Sequence, residues 1–266
     1  MSAIENNQTQ IELWNDLAQQ FGDVAGHEKI NILAPAYRAL WSKYSDLLLT
    51  QSDGKVHAID SGCGHGLLTR MMSTAGEDTN HPEITFDLQD TSEEMLTIAQ
   101  SHLSSNPDFA DVKLVQDLNS LDADSYNLAT TNFVVCCFDK SNELRNYFSS
   151  VHQLVQKNGL FIVTNSHPVF LDREHSSYTA NTGDINPSLL EDGTIIQGYM
   201  YGDDGTEMGP FDSVHWSLDG INQAALDTGW TAIENVAIFD NIPSQARAAS
   251  KKPAFVQMVF QKLDHN

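Results

Sequence analysis

Three alternating glycines, Gly62, Gly64 and Gly66, are the residues whose spacing points most directly to chemistry. They follow Asp60 at the end of a short apolar run that is typical of a β-strand. Glycines at such a turn permit positive φ angles and let a ligand approach the backbone closely, and the helix that follows offers free N–H groups. The dinucleotide fingerprint G-x-G-x-x-G requires a glycine where this chain has Leu67. The spacing therefore disfavours a pyrophosphate ligand, and the carboxylate of Asp60 favours a ligand with a positive amine.

A second carboxylate is expected at the end of the next strand, about 20 residues further on, to hold ribose hydroxyls. Asp90 ends that strand in ITFDLQDTSEEML, and Asp87 is an alternative. Strand alternation places these two side chains on opposite faces, but the register at the strand end leaves the choice open. Asp90 also precedes a good helix start at Glu93. A capping role and a ligand-binding role are compatible.

The elements that must position these residues alternate between strand and helix, an order that produces a parallel sheet with helices on both faces. The sequence predicts strands at 56–60, 84–90, 112–115, 128–135 and 160–165, and helices at 67–73, 93–103 and 143–156. Asn158 and Gly159 are predicted to cap the last helix, with Asn158 in the left-handed conformation. The predicted fold class is α/β: a doubly wound, seven-stranded, mostly parallel Rossmann-like sheet with an antiparallel C-terminal hairpin strand and an N-terminal helical lid.

Two less regular regions flank this pattern. Residues 11–49 have helical periodicity, and Pro35 is predicted to begin the second of two helices there. Residues 166–214 show little helical period and are expected to form a long irregular stretch of functional importance. After them the sequence predicts a helix and two strands, at 217–228, 231–239 and 254–262. Because no helix separates the two strands, they are expected to pair as an antiparallel hairpin at the sheet edge.

The two strongest motifs resemble those of class I S-adenosylmethionine-dependent methyltransferases. DSGCGHG at 60–66 is similar to the first motif of that family, D-x-G-C-G-x-G. DTSEEML at 90–96 is similar to the second motif, D-x-S-x-x-M-L. The resemblance implies an enzyme whose cofactor is S-adenosyl-L-methionine.

The resemblance extends over residues 56–165, because three further segments follow in family order. They lie at 115–118, 126–133 and 154–160 and are similar to the segments at the third, fourth and fifth strands. The chain departs from the family pattern at two places: Tyr126-Asn127 stands where Phe-Asp is typical, and Gln116 stands where glycine is common. Five motifs in order are far more specific than a single glycine turn.

The resemblance also implies roles for individual residues. Asp60 would lie at the methionine end of the cofactor, Asp90 would bind the ribose hydroxyls, and Asp117 with Leu118 would meet the adenine. Arg38 is predicted to pair with the cofactor carboxylate from the N-terminal helices, with an ordinary surface position as the alternative. The residues predicted to bind the cofactor are Asp60, Gly62, Cys63, Gly64, Asp90, Thr91, Asp117, Leu118, Asn132 and Arg38.

Two histidines are the predicted catalytic residues. The protein must place an acceptor lone pair in line with the S–CH3 bond, and a general base is needed only when the acceptor arrives protonated. His167 follows the fifth predicted strand in TNSHP, and His215 precedes a predicted helix in VHWSL. Both resemble positions in a branch of small-molecule methyltransferases that has Arg where this chain has Trp216. The alternatives are a strand-end histidine bonded to backbone for His167 and a helix N-terminal contact for His215.

Aromatic residues beyond the fifth strand are candidates for the walls of a substrate pocket, with ordinary lid packing as the alternative. They are Phe170, Tyr178, Tyr199, Tyr201, Phe211 and Trp216. Trp14 and Tyr37 are further candidates to close over the cofactor, although core packing also accounts for Trp14. No metal site is expected, because His167, His175 and His215 lack short ligand spacing.

Four segments are predicted from these assignments. They are an N-terminal helical lid at 1–50, a cofactor-binding Rossmann-like core at 51–165, a substrate-lid insertion at 166–214, and a helix with a strand hairpin at 215–266 that completes the core. The fold alone does not fix function, so a non-catalytic S-adenosylmethionine-binding or regulatory module is the alternative to a methyltransferase.

Charge and composition restrict the partners. The 266 residues carry a formal net charge of -22, which repels nucleic-acid backbones. The chain has no apolar run long enough to span a membrane, and its polar N-terminus does not resemble a signal peptide. The three cysteines, Cys63, Cys136 and Cys137, do not form a disulfide framework or zinc motif. The sequence predicts a cytoplasmic monomer or homodimer with a small-molecule substrate and no nucleic-acid or membrane partner.

Overall fold

The computed structural model describes residues 11–18, 26–50, 52, 54–74, 83–104, 106–168, 178–181, 189–201, 207–239 and 253–263. These residues form a seven-stranded sheet and a separate three-stranded sheet. The strands are β1 (Lys55–Ser61), β2 (Glu83–Gln89), β3 (Leu114–Val115), β4 (Tyr126–Asn132), β5 (Val155–Ser166), β6 (Tyr178–Asn181), β7 (Thr194–Tyr201), β8 (Glu207–His215), β9 (Trp230–Phe239) and β10 (Pro253–Lys262).

Helices cover both faces of the large sheet. Within the described residues they are α1 (residues 11–18), α2 (Gly26–Leu49), α3 (Leu67–Thr74), α4 (Glu93–Leu103), α5 (Ser141–Leu154) and α6 (Leu218–Leu226). Among them, none combines the length and the apolar character needed to cross a bilayer.

The large sheet has the strand order β3-β2-β1-β4-β5-β10-β9. Strands β1 to β5 are parallel, and β10 runs antiparallel to both of its neighbours, β5 and β9. The predicted α/β class, the seven strands and the antiparallel hairpin are confirmed. The hairpin lies at the sheet edge, as predicted: β10 pairs with β5, and β9 is the outermost strand.

The core has two parts, one on each face of the large sheet, because successive side chains of a strand point to opposite faces. Val56 and Ala58 of β1 pack in the cluster that contains Trp41 of α2. Ile59 packs in the other cluster, together with Phe148 of α5. Burial on both faces fixes the register of β1 and therefore the direction in which its last residues point.

The expectation of an irregular segment at 166–214 is wrong for the residues that the structure describes there. They contain β6, β7 and β8, which form an antiparallel sheet with β7 in the middle. Its alternation is hard to recognise because both Ile195 and Ile196 are apolar, although Ile195 is 53% exposed and Ile196 is buried. An interior glycine, Gly198, further weakens the strand pattern.

Two predicted helix boundaries are also wrong. Pro35 lies inside α2 rather than at its start. Pro35 is exposed, and it has no N–H to donate to the carbonyl of the preceding helical turn. Helix α5 ends at Leu154, because Val155 already has extended backbone angles. The left-handed conformation predicted for Asn158 is confirmed by its φ of 64°.

Candidate functional site

A cavity of about 520 Å³ lies at the carboxyl ends of the parallel strands. The residue that directly follows each of β1 to β5 lines it: Gly62, Asp90, Gln116, Phe133 and His167. We call this side the strand-end wall. Ligands of open parallel sheets bind in this position, outside the carboxyl ends of the strands.

The opposite side of the cavity is formed by α1 and the small sheet. We call it the roof, and its lining residues are Trp14 of α1, Ile196 and Met200 of β7, and Phe211, Asp212, Ser213, Val214 and His215 of β8. Leu13 and Leu17 of α1 pack against Met200 and Phe211. This packing fixes α1 to the small sheet, so the two elements cover the cavity together.

Most of the predicted site residues meet at this cavity. Its lining includes Asp60, Gly62, Cys63, Gly64, Asp90, Thr91, Asp117, Leu118, Asn132, His167 and His215. The exception is Arg38, which is exposed and does not line the cavity. Its neighbour Tyr37 is fully buried, and consecutive helical residues point about 100° apart, so Arg38 faces away from the site.

The glycine turn packs closely against Val134 on one side and borders the cavity on the other. Gly62 and Gly64 have φ angles of 73° and 54°, in the left-handed region that favours glycine. A Cβ atom on Gly62 would lie 2.2 Å from Cγ2 of Val134. A Cβ atom on Gly64 would have Sδ of Met95, at 4.0 Å, as its nearest neighbour. The space above Gly64 is therefore left to the cavity.

Asp60 is held by three side-chain donors. The Thr69 hydroxyl donates to Oδ2 at 2.5 Å, and the Thr130 hydroxyl and the Asn132 amide donate to Oδ1 at 2.9 and 3.3 Å. The residue is 1% exposed. Burial raises the pKa of the Asp60 carboxyl to about 6, against the lowering effect of these hydrogen bonds.

Asp90 fixes the glycine turn. Its Oδ2 accepts a hydrogen bond from the Gly64 N–H at 2.8 Å, and its Oδ1 accepts one from the Ser92 N–H at 2.9 Å. Burial raises the pKa of the Asp90 carboxyl, again against these bonds. The cap of α4 is Ser92, whose hydroxyl accepts from the Met95 N–H. Asp90 therefore supports the helix start indirectly and leaves lone pairs at the cavity.

The alternative acid, Asp87, does not line the cavity. Its Oδ2 lies 3.1 Å from Nε2 of His57 and accepts from the Tyr126 hydroxyl at 2.9 Å, and its Oδ1 accepts from the Lys113 N–H at 3.1 Å. Burial acts to raise the pKa of Asp87, but these bonds outweigh it and hold the pKa below its usual value. The geometry selects Asp90 as the cavity acid.

Asp117 and Leu118 follow β3. Asp117 is exposed, and its Oδ1 accepts hydrogen bonds from the backbone N–H and side-chain amide of Asn119 at 2.9 and 2.8 Å. Leu118 is 8% exposed and packs in the core beneath the cavity. The pair thus presents a carboxylate beside an apolar surface, which suits a heterocycle with an exocyclic amine.

A buried hydrogen-bond network links α2 to the strand-end wall. The Tyr37 hydroxyl donates to Oδ1 of Asn132 at 2.6 Å and lies 2.8 Å from the Thr164 hydroxyl. Asn132 in turn donates to Asp60. Tyr37 is fully buried and does not line the cavity, so it positions Asn132 rather than covering a ligand.

Both candidate catalytic histidines line the cavity from different sides. The backbone N–H of His167 donates to the Ala254 carbonyl at 3.0 Å, and burial lowers the pKa of its imidazole. His215 is 6% exposed; burial lowers the pKa of its imidazole against the opposing charge of Asp192. Ser217 caps α6, so His215 is not required at that helix terminus.

Tyr147 of α5 is a site residue that the sequence analysis did not single out, although it lies in the predicted helix at 143–156. Its hydroxyl lies within hydrogen-bond distance of the Thr131 hydroxyl, at 2.8 Å, and of the Ser61 hydroxyl, at 3.0 Å, beneath the glycine turn. The residue also lines the cavity. Its contact with Ser61, 86 residues away in the chain, has no signal in the sequence.

The predicted aromatic walls have a mixed outcome. Phe211 and Trp216 line the cavity, whereas Tyr199 does not. Phe170 and His175 lie outside the described residues, as do the side chains of Tyr178 and Tyr201.

The strand-end wall fits S-adenosylmethionine. Gly62 and Gly64 leave backbone open to the cavity, and three acids lie in sequence along it, after or at the ends of β1, β2 and β3. Carboxylates suit a ligand that has a sulfonium, ribose hydroxyls and an adenine amino group, and they do not suit a pyrophosphate.

Comparison with known proteins agrees with this fit. A family described as a methyltransferase domain matches residues 59–161. No curated protein matches the chain significantly.

Many solved structures share the fold. The CcbJ methyltransferase from Streptomyces caelestis aligns with a TM-score of 0.60 at 13% identity, covering 94% of this chain and 96% of CcbJ. An S-adenosylmethionine-dependent methyltransferase from Mesorhizobium loti gives 0.52 at 20% identity, with 85% and 96% covered. One from Clostridium acetobutylicum gives 0.53 at 16% identity, with 84% and 92% covered. Residues 59–161 thus match a methyltransferase domain, and the chain shares its fold with these S-adenosylmethionine-dependent methyltransferases.

Proposed function

We propose that this chain is a class I S-adenosylmethionine-dependent methyltransferase that acts on an oxygen or nitrogen atom of a small molecule, by in-line displacement. The observation that carries the proposal is the cavity itself, in which the strand-end wall and the roof enclose one space of about 520 Å³. That volume lies within the range of about 300–1,000 Å³ typical of small-ligand pockets. The roof leaves an acceptor little room beyond a compact molecule.

In this proposal the residues of the chain bind the cofactor and orient the acceptor. The bound cofactor supplies an activated methyl group. We assign Asp60 with Gly62, Cys63 and Gly64 to its amino-acid end, Asp90 with Thr91 to the ribose, Asp117 with Leu118 to the adenine, and Asn132 to the methionine portion. The roof then excludes water and holds the acceptor against the strand-end wall.

His167 or His215 is the proposed general base. Because burial lowers the pKa of both imidazoles, each is neutral near pH 7 and able to accept a proton. A positioned base contributes roughly 100-fold or more to the rate. An acceptor that arrives with its lone pair free needs only positioning.

We further propose lid segments, a class of partner and a cellular location for this chain. Residues 1–50 and 166–214 are assigned as the lid segments, supported by Trp14 and the β7–β8 lining of the cavity. The net charge of -22 supports a partner other than nucleic acid. A cytoplasmic location and a monomeric or homodimeric state are checked by cell fractionation and by light scattering on the purified chain.

Transfer of a tritiated methyl group from S-adenosylmethionine into a low-molecular-weight cell extract tests the function. We expect the label in the small-molecule fraction, and label in protein or nucleic acid would overturn the proposal. His167→Gln and His215→Gln separate the two histidines: the base variant should lose roughly 100-fold in kcat and keep its affinity for the demethylated cofactor. His57→Gln, at the start of β1 and outside the cavity, is the matched control.

A further inference from the structure

Three consecutive N–H groups of the glycine turn are bonded to residues at the end of β2. The Gly62 and Cys63 N–H groups donate to the Gln89 carbonyl at 2.7 and 2.9 Å. The Gly64 N–H donates to Oδ2 of Asp90 at 2.8 Å. Phosphate sites at such turns use these N–H groups, so their engagement within the protein agrees with a ligand that has no phosphate. It also means that the position of the turn depends on Gln89.

The side-chain amide of Gln89 connects the turn to β3. Its Oε1 accepts hydrogen bonds from the Ser61 hydroxyl at 2.8 Å and from the Gly62 N–H at 3.3 Å. Its Nε2 donates to the Gln116 carbonyl at 3.0 Å. Because an N–H can only donate and a carbonyl can only accept, Gly62 and Gln116 fix the orientation of the amide. One side chain therefore joins the ends of three adjacent strands, β3, β2 and β1.

This connection matters because β3 is very short. The strand consists of Leu114 and Val115, and its register with β2 covers two residue pairs. Such a short ladder constrains the residues after it only weakly, and Gln116 directly follows the strand. Gln89 is 5% exposed. Hydrogen bonds of a buried amide are costly to leave unmade, so the amide holds the end of β3 at a defined distance from the glycine turn.

We propose that Gln89 is a positioning residue that sets the distance between the two ends of the cofactor site. Its Oε1 holds the glycine turn, which is assigned to the amino-acid end of the cofactor. Its Nε2 holds the residue before Asp117, which is assigned to the adenine. Gln89 also lines the cavity between these two segments. This inference rests on the proposed cofactor site and adds a residue that directly precedes the second motif.

A fixed distance between the two ends favours a ligand that contacts both of them. A nucleoside alone occupies the adenine and ribose positions and can follow a displaced segment. The complete cofactor must contact the glycine turn and the adenine segment at the same time. Holding these contacts at the correct separation before binding reduces the free-energy cost of ordering them in the complex. Gln89 therefore raises the affinity for the complete cofactor more than the affinity for its nucleoside part.

Gln89→Met tests this role, because methionine is an unbranched side chain of similar length that makes at most weak hydrogen bonds. Calorimetry compares S-adenosylhomocysteine, the demethylated cofactor, with 5′-methylthioadenosine, which lacks the amino-acid end. We expect about tenfold weaker binding of S-adenosylhomocysteine and a change of less than about twofold for 5′-methylthioadenosine. An equal loss for both ligands would mean that Gln89 only supports the adenine segment. That result, or unchanged affinity for both ligands, would overturn the proposal.

Gln156→Met is the matched control. Gln156 is also a strand glutamine with a side-chain hydrogen bond, to Asn127, and it does not line the cavity. This variant should leave the affinity for both ligands unchanged.

Ser61→Ala provides a second, milder variant that tests the proposal even if Gln89→Met does not fold. It removes one donor to Oε1 of Gln89 and should weaken S-adenosylhomocysteine binding about threefold, with 5′-methylthioadenosine again nearly unaffected. In the double variant the two losses should not add, because both substitutions act through one contact. An equal loss for both ligands in Ser61→Ala would also contradict the positioning role. Failure of the wild-type chain to bind S-adenosylhomocysteine would instead refute the proposed function.

Discussion

At the strand-end wall the polar side chains of the cavity are bound to other protein groups, whereas the roof lines it mainly with aromatic and apolar side chains. Asp60 has three side-chain donors and Asp90 two backbone donors. The roof depends on the packing of α1 against Met200 and Phe211. A buried polar side chain whose hydrogen bonds are all made is fixed in one orientation. Apolar packing, in contrast, tolerates substitution by side chains of similar volume. The strand-end wall is thus suited to one ligand, whereas a few substitutions in the roof would let it accommodate a different acceptor.

The largest expected effect concerns the turn in the strand-end wall. Gly62→Ala places a Cβ atom 2.2 Å from Val134 Cγ2, so cofactor affinity should fall about 100-fold, equivalent to about 2.8 kcal/mol. Calorimetry with demethylated cofactor measures the loss. Gly54→Ala is the matched control, because Gly54 also has positive φ but has no atom within 4 Å of its Cβ position.

The double variant Gly62→Ala/Val134→Ala separates steric overlap from backbone strain. Removing the Val134 methyl groups should restore most of the affinity. If the double variant binds as weakly as Gly62→Ala alone, the close approach to Val134 does not explain the requirement for glycine.

The next effect is the pH dependence of Asp60. The pKa of this carboxyl rises from 3.8 to about 6 on folding, so cofactor affinity should decline as pH falls below about 6 and the carboxylate becomes neutral. Asp60→Asn should bind roughly tenfold more weakly at pH 7.5 and show little pH dependence. Binding titrations between pH 5 and pH 8 compare the two proteins.

Stability of the unliganded chain should change in the opposite direction. A raised native pKa means that the folded state binds more protons than the unfolded state between about pH 4 and pH 6. Asp60 therefore destabilises the chain as pH rises through that window, by up to about 3 kcal/mol. Urea unfolding of wild type and Asp60→Asn as a function of pH measures this contribution of Asp60 to the free energy of unfolding. Identical pH profiles for the two proteins would contradict a raised pKa for Asp60.

A smaller effect is expected where the network reaches α2. Tyr37→Phe leaves Asn132 Oδ1 without its donor, which should cost about 1–3 kcal/mol of unfolding free energy and weaken cofactor binding. Tyr44→Phe is the control, because Tyr44 is also in α2 but does not line the cavity. This variant loses the hydrogen bond to Glu234 and should leave cofactor affinity unchanged. Equal cofactor affinity in both variants would show that Tyr37 is structural only.

The smallest effect belongs to the roof. Trp14→Leu removes the ring pair with Phe211, worth about 0.5–1.5 kcal/mol, and should leave affinity for the demethylated cofactor within about twofold, a difference below 0.5 kcal/mol. Calorimetry and urea unfolding check both values. A large loss of cofactor affinity would contradict the assignment of cofactor binding to the strand-end wall and of acceptor binding to the roof.

Prediction succeeded where the signal was local in the chain. The glycine turn, the acid before it and the helix start after Asp90 occupy short segments whose backbone requirements are visible residue by residue. Prediction failed where the orientation of a side chain depends on packing between segments that are distant in the sequence. Arg38 was placed at the cofactor by its chemistry, but the burial of Tyr37 turns it outward.

The sequence by itself determined the parallel α/β order, the glycine turn and the positions of the acids that end the strands, because hydrophobic period and turn residues act over a few positions. The tertiary structure alone decided that Asp90 rather than Asp87 faces the cavity, that Tyr147 supports Ser61, and that β7 and β8 form part of a roof. Those outcomes depend on register and on contacts between distant segments, which local residue preferences do not specify.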